Sequence, residues 1–147
     1  MIYRRRIDGR GNPFAVPLPD RYHVMSERSP RAVVEEFFDR MDDERRSSVG
    51  ELFADDAVIT VPDARFEGPD AAAEFLAFLA PRYERAAKEF DRWIESGDRV
   101  VSTGTLYGVD DDGERFEDVR YVDVYEVRDG RIVRMDVYND LAVEGVT

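Results

Sequence analysis

Apolar and charged residues alternate along RYVDVYEVRDGRIVRMDVYND, residues 120–140, in two runs separated by Asp129-Gly130. A period of two predicts strands with one dry face, and Asp-Gly predicts the hairpin turn between them. The same alternation runs through DRVVSTGTLYG, followed by a DDDG turn, and through ERFEDVRYVDVYEV. Upstream the period changes. Ser29 is placed to cap a helix, Pro30 suits its first position, and Val33, Val34, Phe37, Phe38 and Met41 recur at helical spacing. SVGELFADD fits a short second helix leading into the strand AVITV at 57–61, which Pro62 ends. A third helix follows Gly68, with Ala72, Phe75, Leu76 and Leu79 on one face and Pro81 at its end. For 84–96 two periods compete. Phe90, Arg92 and Ile94 alternate as in a strand, while Tyr83, Ala87, Phe90 and Ile94 keep helical spacing. Helices first and a meandering antiparallel sheet later predict an α+β domain with helices on one face of the sheet.

Asp123 breaks the alternation, because it falls in step with the tyrosines and not with the charges. A two-residue loop at Asp129-Gly130 would pair Asp123 with Asp136 and mix charges into both faces. A three-residue loop, Arg128-Asp129-Gly130, sets Asp123 opposite Met135, Tyr121 opposite Val137 and Tyr125 opposite Val133. One slip of register turns every side chain to the other face, so the cleaner segregation favours the longer loop and an inward Asp123. A buried carboxylate takes up a proton or finds a partner. It is then either a satisfied core group or an acid with a raised pKa in a cavity.

Composition narrows the chemistry. The chain of 147 residues suits a single domain. It has no cysteine, which excludes disulfides and thiolate metal sites. His23 is the only histidine and lies outside every periodic segment, so no metal site and no histidine dyad is expected. No cofactor motif is present, and DDDG at 110–113 and Asp55-Asp56 read as solvated acids. The net charge of −12 argues against nucleic-acid binding and fits an acidic, halophilic-type surface. All the cationic side chains but Lys88 are arginines. Residues 1–24 are set apart by five arginines against two aspartates, with three prolines and two glycines. They read as a flexible or loosely packed arm before a single domain at 25–147, with Met25 resembling an ordinary start. Without an apolar span or a signal-peptide pattern, neither membrane association nor export is expected, and the location expected is the cytoplasm.

Three pieces in order, LFADDAVITVP, FEGPDAAAEFL and YVDVYEVRDGRIVRM, resemble the SnoaL-like and ketosteroid-isomerase-like branch of the nuclear transport factor 2-like superfamily. The resemblance runs from about Ser29 to Asp140. It implies a cone, a curved antiparallel sheet wrapped around N-terminal helices, enclosing a pocket for a small apolar or partly polar organic ligand. It also implies a homodimer. In ketosteroid isomerases an aspartate base works beside a tyrosine and a protonated aspartate. The protonated aspartate falls on Asp123, but the tyrosine falls on Phe37 and the base on Val61, so steroid isomerisation is not expected. The acidic position of limonene-epoxide hydrolases falls on Val137. SnoaL-type polyketide cyclases resemble this chain in needing little beyond one aspartate, here Asp123. The pocket implied is lined by Phe37, Val61, Phe75, Tyr121, Tyr125, Met135, Val137 and Asn139. The resemblance also puts Thr103, Thr105 and Tyr107 inside, while Trp93 fits a pocket or a dimer face equally. Two readings stand: an isomerase, cyclase or lyase using Asp123 as acid/base or oxyanion donor, and a non-catalytic ligand-binding or dimerisation domain with Asp123 a structural polar group.

Overall fold

The computed structural model describes residues 3–6, 28–42 and 45–146. Helix α1, Pro30–Met41, starts as the sequence predicts, with Ser29 Oγ accepting the N–H of Ala32 at 3.2 Å. Its apolar stripe of Val33, Val34, Phe37, Phe38 and Met41 is buried. The predicted second helix is shorter than expected. A 3-10 turn covers Arg46–Leu52, and strand β2, Phe53–Val61, begins where the helix was expected to continue. Phe53 and Ala57 face the core while Asp55 and Asp56 are exposed, a division that a continued helix would not make. β3, Ala64–Glu67, returns against β2, and α2, Ala71–Leu79, buries Ala71, Ala72 and Phe75.

The competing periods at 84–96 resolve as a strand, β4, Tyr83–Ser96. A register shift between Phe90 and Arg92 explains the mixed signal. It brings Phe90 and Trp93 to the core side and leaves Arg92 and Ile94 exposed. β5, Arg99–Asp110, β6, Arg115–Arg128, and β7, Arg131–Asn139, complete a curved, unclosed sheet of six strands with the helices on its inner side. Tyr3–Arg6, β1, adds a seventh strand parallel to β4 at Ala86–Glu89. These four residues of the arm are a run free of proline and glycine beside an edge able to accept a strand. The rest of the arm, with His23, and Met25 just after it lie outside the described residues. Among the described residues no helix is long and apolar enough to cross a membrane.

The last hairpin corrects the expected loop. Arg128 pairs with Arg131, so the loop is the two residues Asp129 and Gly130, with φ of 52° and 75°. A shift between Glu126 and Val127 then leaves Val133 as an extra residue, and Asp123 pairs with Val137 instead of Met135. The bulge moves the register by one residue. It thereby restores the segregation of faces that a strict two-residue hairpin would have lost. Asp123 does point inward, with Tyr121 opposite Asn139 and Tyr125 opposite Met135.

Two glycines let β4 and β5 run close together. A Cβ built on Gly104 would lie 2.0 Å from the Glu89 carbonyl oxygen, and one on Gly108 would lie 2.2 Å from that of Arg85. Backbone cannot rotate out of the way as a side chain can. Gly104→Ala is expected to cost about 1–3 kcal/mol by overpacking. Urea denaturation of the variant checks this, and a loss below about 0.5 kcal/mol, the usual scatter of a neutral surface change, would show that the strands have room.

Candidate functional site

The inner face of the sheet brings one cation and one carboxylate together away from water. Lys88 on β4 and Asp123 on β6 are 2% and 0% exposed. β5 runs between them, and its inward positions there are Ser102 and Gly104, both small, which leaves room for the lysine to reach across. Lys88 Nζ donates to Asp123 Oδ2 as an ion pair. Two ring faces flank the ammonium, Phe38 at 4.6 Å and Tyr121 at 4.5 Å. Such faces favour a desolvated cation electrostatically. The Tyr125 hydroxyl donates to the same Oδ2 at 3.3 Å, and Tyr121 OH shares a 2.9 Å hydrogen bond with Ser102 Oγ.

The carboxyl is therefore satisfied on one side only. Asp123 Oδ1 is buried without a hydrogen-bond partner among the described residues. Burial pushes the Asp123 pKa up, and the charge and hydrogen bond of Lys88, then the bond from Tyr125, offset part of that rise.

A cavity of about 70 Å³ lies against the pair. Its walls are mainly apolar, with Phe75, Phe78, Tyr83, Leu106, Phe116 and Leu141 around Tyr121. Exposed Pro62, Asp63 and Ala142 and half-buried Arg82 mark the end where it meets solvent. Of the positions expected from sequence, Val61, Phe75, Tyr121, Asp123, Val137 and Asn139 line it.

Phe37, Tyr125 and Met135 are buried but belong to the main core and do not line the cavity. Phe37 packs its ring on Phe53 and Tyr125, with centroids at 5.6 Å and 6.1 Å. Thr103, Thr105 and Tyr107 are corrected outright, because they lie on the opposite face of β5. Thr103 pairs with Val122 and Thr105 with Arg120, both on the exposed face, whereas Ser102, Gly104 and Leu106 pair with Asp123, Tyr121 and Val119. The inner side must be small where Lys88 crosses, so the threonine set takes the outer side. Trp93 packs on Phe38 and Phe90 with the Arg31 guanidinium 5.0 Å above it, at the edge of the core. The Asp110 carboxylate closes its own turn by accepting the N–H groups of Asp112 and Glu114, each at 2.9 Å.

Sequence reasoning missed Lys88 as a site residue. Its signal was present in the composition, as the one lysine among 21 basic residues. In strand register it is also in step with Phe90, but the helical alternative for 84–96 hid that.

Comparison with known proteins agrees with this architecture. A family model described as a SnoaL-like domain matches residues 34–135. An NTF2-like protein of unknown function from Burkholderia pseudomallei superposes with a TM-score of 0.71 at 23% identity, covering 78% of this chain and 93% of its own. A protein from Jannaschia sp. CCS1, proposed to be a SnoaL-like polyketide cyclase, gives 0.69 at 22% identity, covering 82% and 94%. TerC, co-crystallised with polyporic acid, gives 0.69 at 20% identity, covering 79% and 95%. At these identities the likeness is one of fold. No curated protein sequence matches the chain.

Proposed function

The chain belongs to the SnoaL-like domain family, and on that premise we propose that it binds a small, largely apolar organic molecule and moves a proton on it with Asp123. The observation that carries this reading is the buried Lys88–Asp123 pair set against an apolar cavity that reaches solvent. Asp123, which lines the cavity and whose Oδ1 has no hydrogen-bond partner among the described residues, is the acid/base. Lys88 supplies the positive charge beside an oxygen that becomes negative as the proton leaves carbon. The cavity limits what enters. One water needs about 10–15 Å³ on a comparable scale, so about 70 Å³ admits a group of a few non-hydrogen atoms. The reactive end of the ligand occupies it, and the remainder lies toward Pro62, Asp63 and Ala142. A small molecule is also what was co-crystallised with TerC.

The second reading, a non-catalytic binding or dimerisation domain, draws on two observations. Asp123 already has Lys88 and Tyr125 as partners, and the cavity is below the roughly 300 Å³ at which ligand sites begin. Proton transfer separates the two without knowledge of the natural substrate. Exchange of α-hydrogens of a short ketone in deuterated buffer, followed by proton NMR, is expected to be accelerated by the protein. Asp123→Asn is expected to fold and to lose about 10²–10⁴ of that acceleration, the usual share of a positioned acid/base. Exchange no faster than in buffer would leave the non-catalytic reading. The proposal includes a homodimer, and a monomer in sedimentation velocity would remove that part.

A further inference from the structure

We infer that Lys88 is an imine-forming lysine, and that the ligand class of the pocket is small aldehydes and ketones. The inference rests on the pocket reading above, but it does not need Asp123 to exchange protons at carbon.

Composition gives the first reason. Every other cationic side chain of the chain is arginine, and the sole lysine is the buried one. An arginine would serve as a counter-ion to Asp123 at least as well, since its guanidinium matches a carboxylate in two places. What it cannot do is give up its proton and act as a nucleophile, which a desolvated lysine can.

Placement gives the second. Lys88 and Asp123 both line the cavity, and the Lys88 ammonium lies against the rings of Phe38 and Tyr121. A carbonyl group is small enough for a space of about 70 Å³. The carboxyl next to the amine is the group that imine formation requires. The reaction starts from the form of the pair in which Asp123 carries the shared proton and the Lys88 nitrogen keeps its lone pair.

The step balances with these groups alone. The Lys88 nitrogen attacks the carbonyl carbon, a C–N bond forms, and the carbonyl oxygen becomes a hydroxyl as the nitrogen loses a proton. Asp123 then protonates that hydroxyl, the C–O bond breaks, and water leaves. The product is a protonated imine on Lys88 with the Asp123 carboxylate as its counter-ion. No oxidant or metal is involved.

A single lysine makes the test unusually direct, because reductive trapping has only Lys88 and the terminal amine as targets. The full chain is incubated with butanal and cyanoborohydride, and adducts are mapped by peptide mass spectrometry. Lys88 is expected to be butylated in the folded protein at a rate that saturates with butanal. In Asp123→Asn, confirmed folded by circular dichroism, the rate is expected to fall about 100-fold, in the range for loss of a positioned acid. Lys88 unmodified in the folded protein but modified in urea would overturn the inference, as would equal rates in the native chain and Asp123→Asn. Should Asp123→Asn not fold, saturation with butanal decides alone, and a rate strictly proportional to its concentration overturns the inference. Ketone exchange that persists without trapping would sink this inference and leave the proton-transfer proposal standing.

Discussion

Lys88→Met is expected to lower the stability of the protein by about 3–5 kcal/mol at neutral pH, the usual cost of removing one partner of a buried ion pair. Met approximates the volume of the lysine stem and keeps contact with Phe38 and Tyr121, so the loss is electrostatic more than steric. What remains is a carboxylate with no exposed surface and, among the described residues, Tyr125 alone as partner. The companion double variant, Lys88→Met with Asp123→Leu, removes both charges. Replacing a buried pair by apolar groups of similar volume is often neutral or stabilising by about 1–4 kcal/mol, because the desolvation of both ions disappears with them. The double variant should therefore be as stable as the native chain or more so. Urea denaturation of the three proteins decides the matter. A single variant within about 1 kcal/mol of native, the size expected of an exposed pair, would mean that the pair is solvated. A double variant as unstable as the single would mean that packing and not charge was lost. If the double variant is the more stable, the pair has been retained at a cost to folding, which is what a functional site would show.

How far these residues were legible in the sequence depends on how local their signals are. Helix α1 could be read from its cap and its stripe because both are set within a few residues of chain. The inward direction of Asp123 could be read because a face with Val119, Tyr121, Tyr125 and Val127 tolerates no other assignment. Yet the loop that was expected to achieve this was wrong, and the bulge at Val133 does it instead. Face segregation is a property of the whole hairpin and survives such an error, whereas the position of one extra residue is decided by neighbouring strands. The bulge in β4 had a larger consequence. Where the register shifts between Phe90 and Arg92, neither the strand nor the helical period holds across the segment, and Lys88 lost its face. The threonines of β5 failed for a related reason. Their alternation with Ser102, Gly104 and Leu106 shows two faces, but which is inner depends on Lys88 and Tyr121 across the neighbouring strands. The site is thus legible where one hairpin defines it and illegible where three strands must meet.

Acidity should alter these variants in a direction opposite to ordinary acid denaturation. In the native chain burial raises the Asp123 pKa, and Lys88 offsets that rise by its charge and its hydrogen bond. Lys88→Met removes both offsets, so the carboxyl should move further up, held only by Tyr125. A group whose folded pKa lies above its unfolded value binds more protons folded than unfolded between those two values. Its contribution to stability is fully present below the unfolded pKa, about 3.9 for an aspartate, and is lost as pH rises through the folded pKa. The single variant should accordingly recover in acid, where Asp123 is neutral and can donate a hydrogen bond, and should weaken toward neutral pH. The other carboxylates impose their own acid loss, but they are common to the single and double variants. The difference in stability between Lys88→Met and Lys88→Met/Asp123→Leu therefore isolates Asp123. That difference should be small near pH 4 and widen by several kcal/mol toward pH 8, the effective penalty of ionising a buried unpaired group. Urea denaturation of both proteins across this range measures it, and carbon NMR of the Asp123 carboxyl gives its midpoint. Parallel stability profiles would show that Asp123 has the same proton occupancy folded and unfolded. The carboxyl would then have solvent or another cation beside it, and the desolvated pair on which the proposed chemistry depends would not exist.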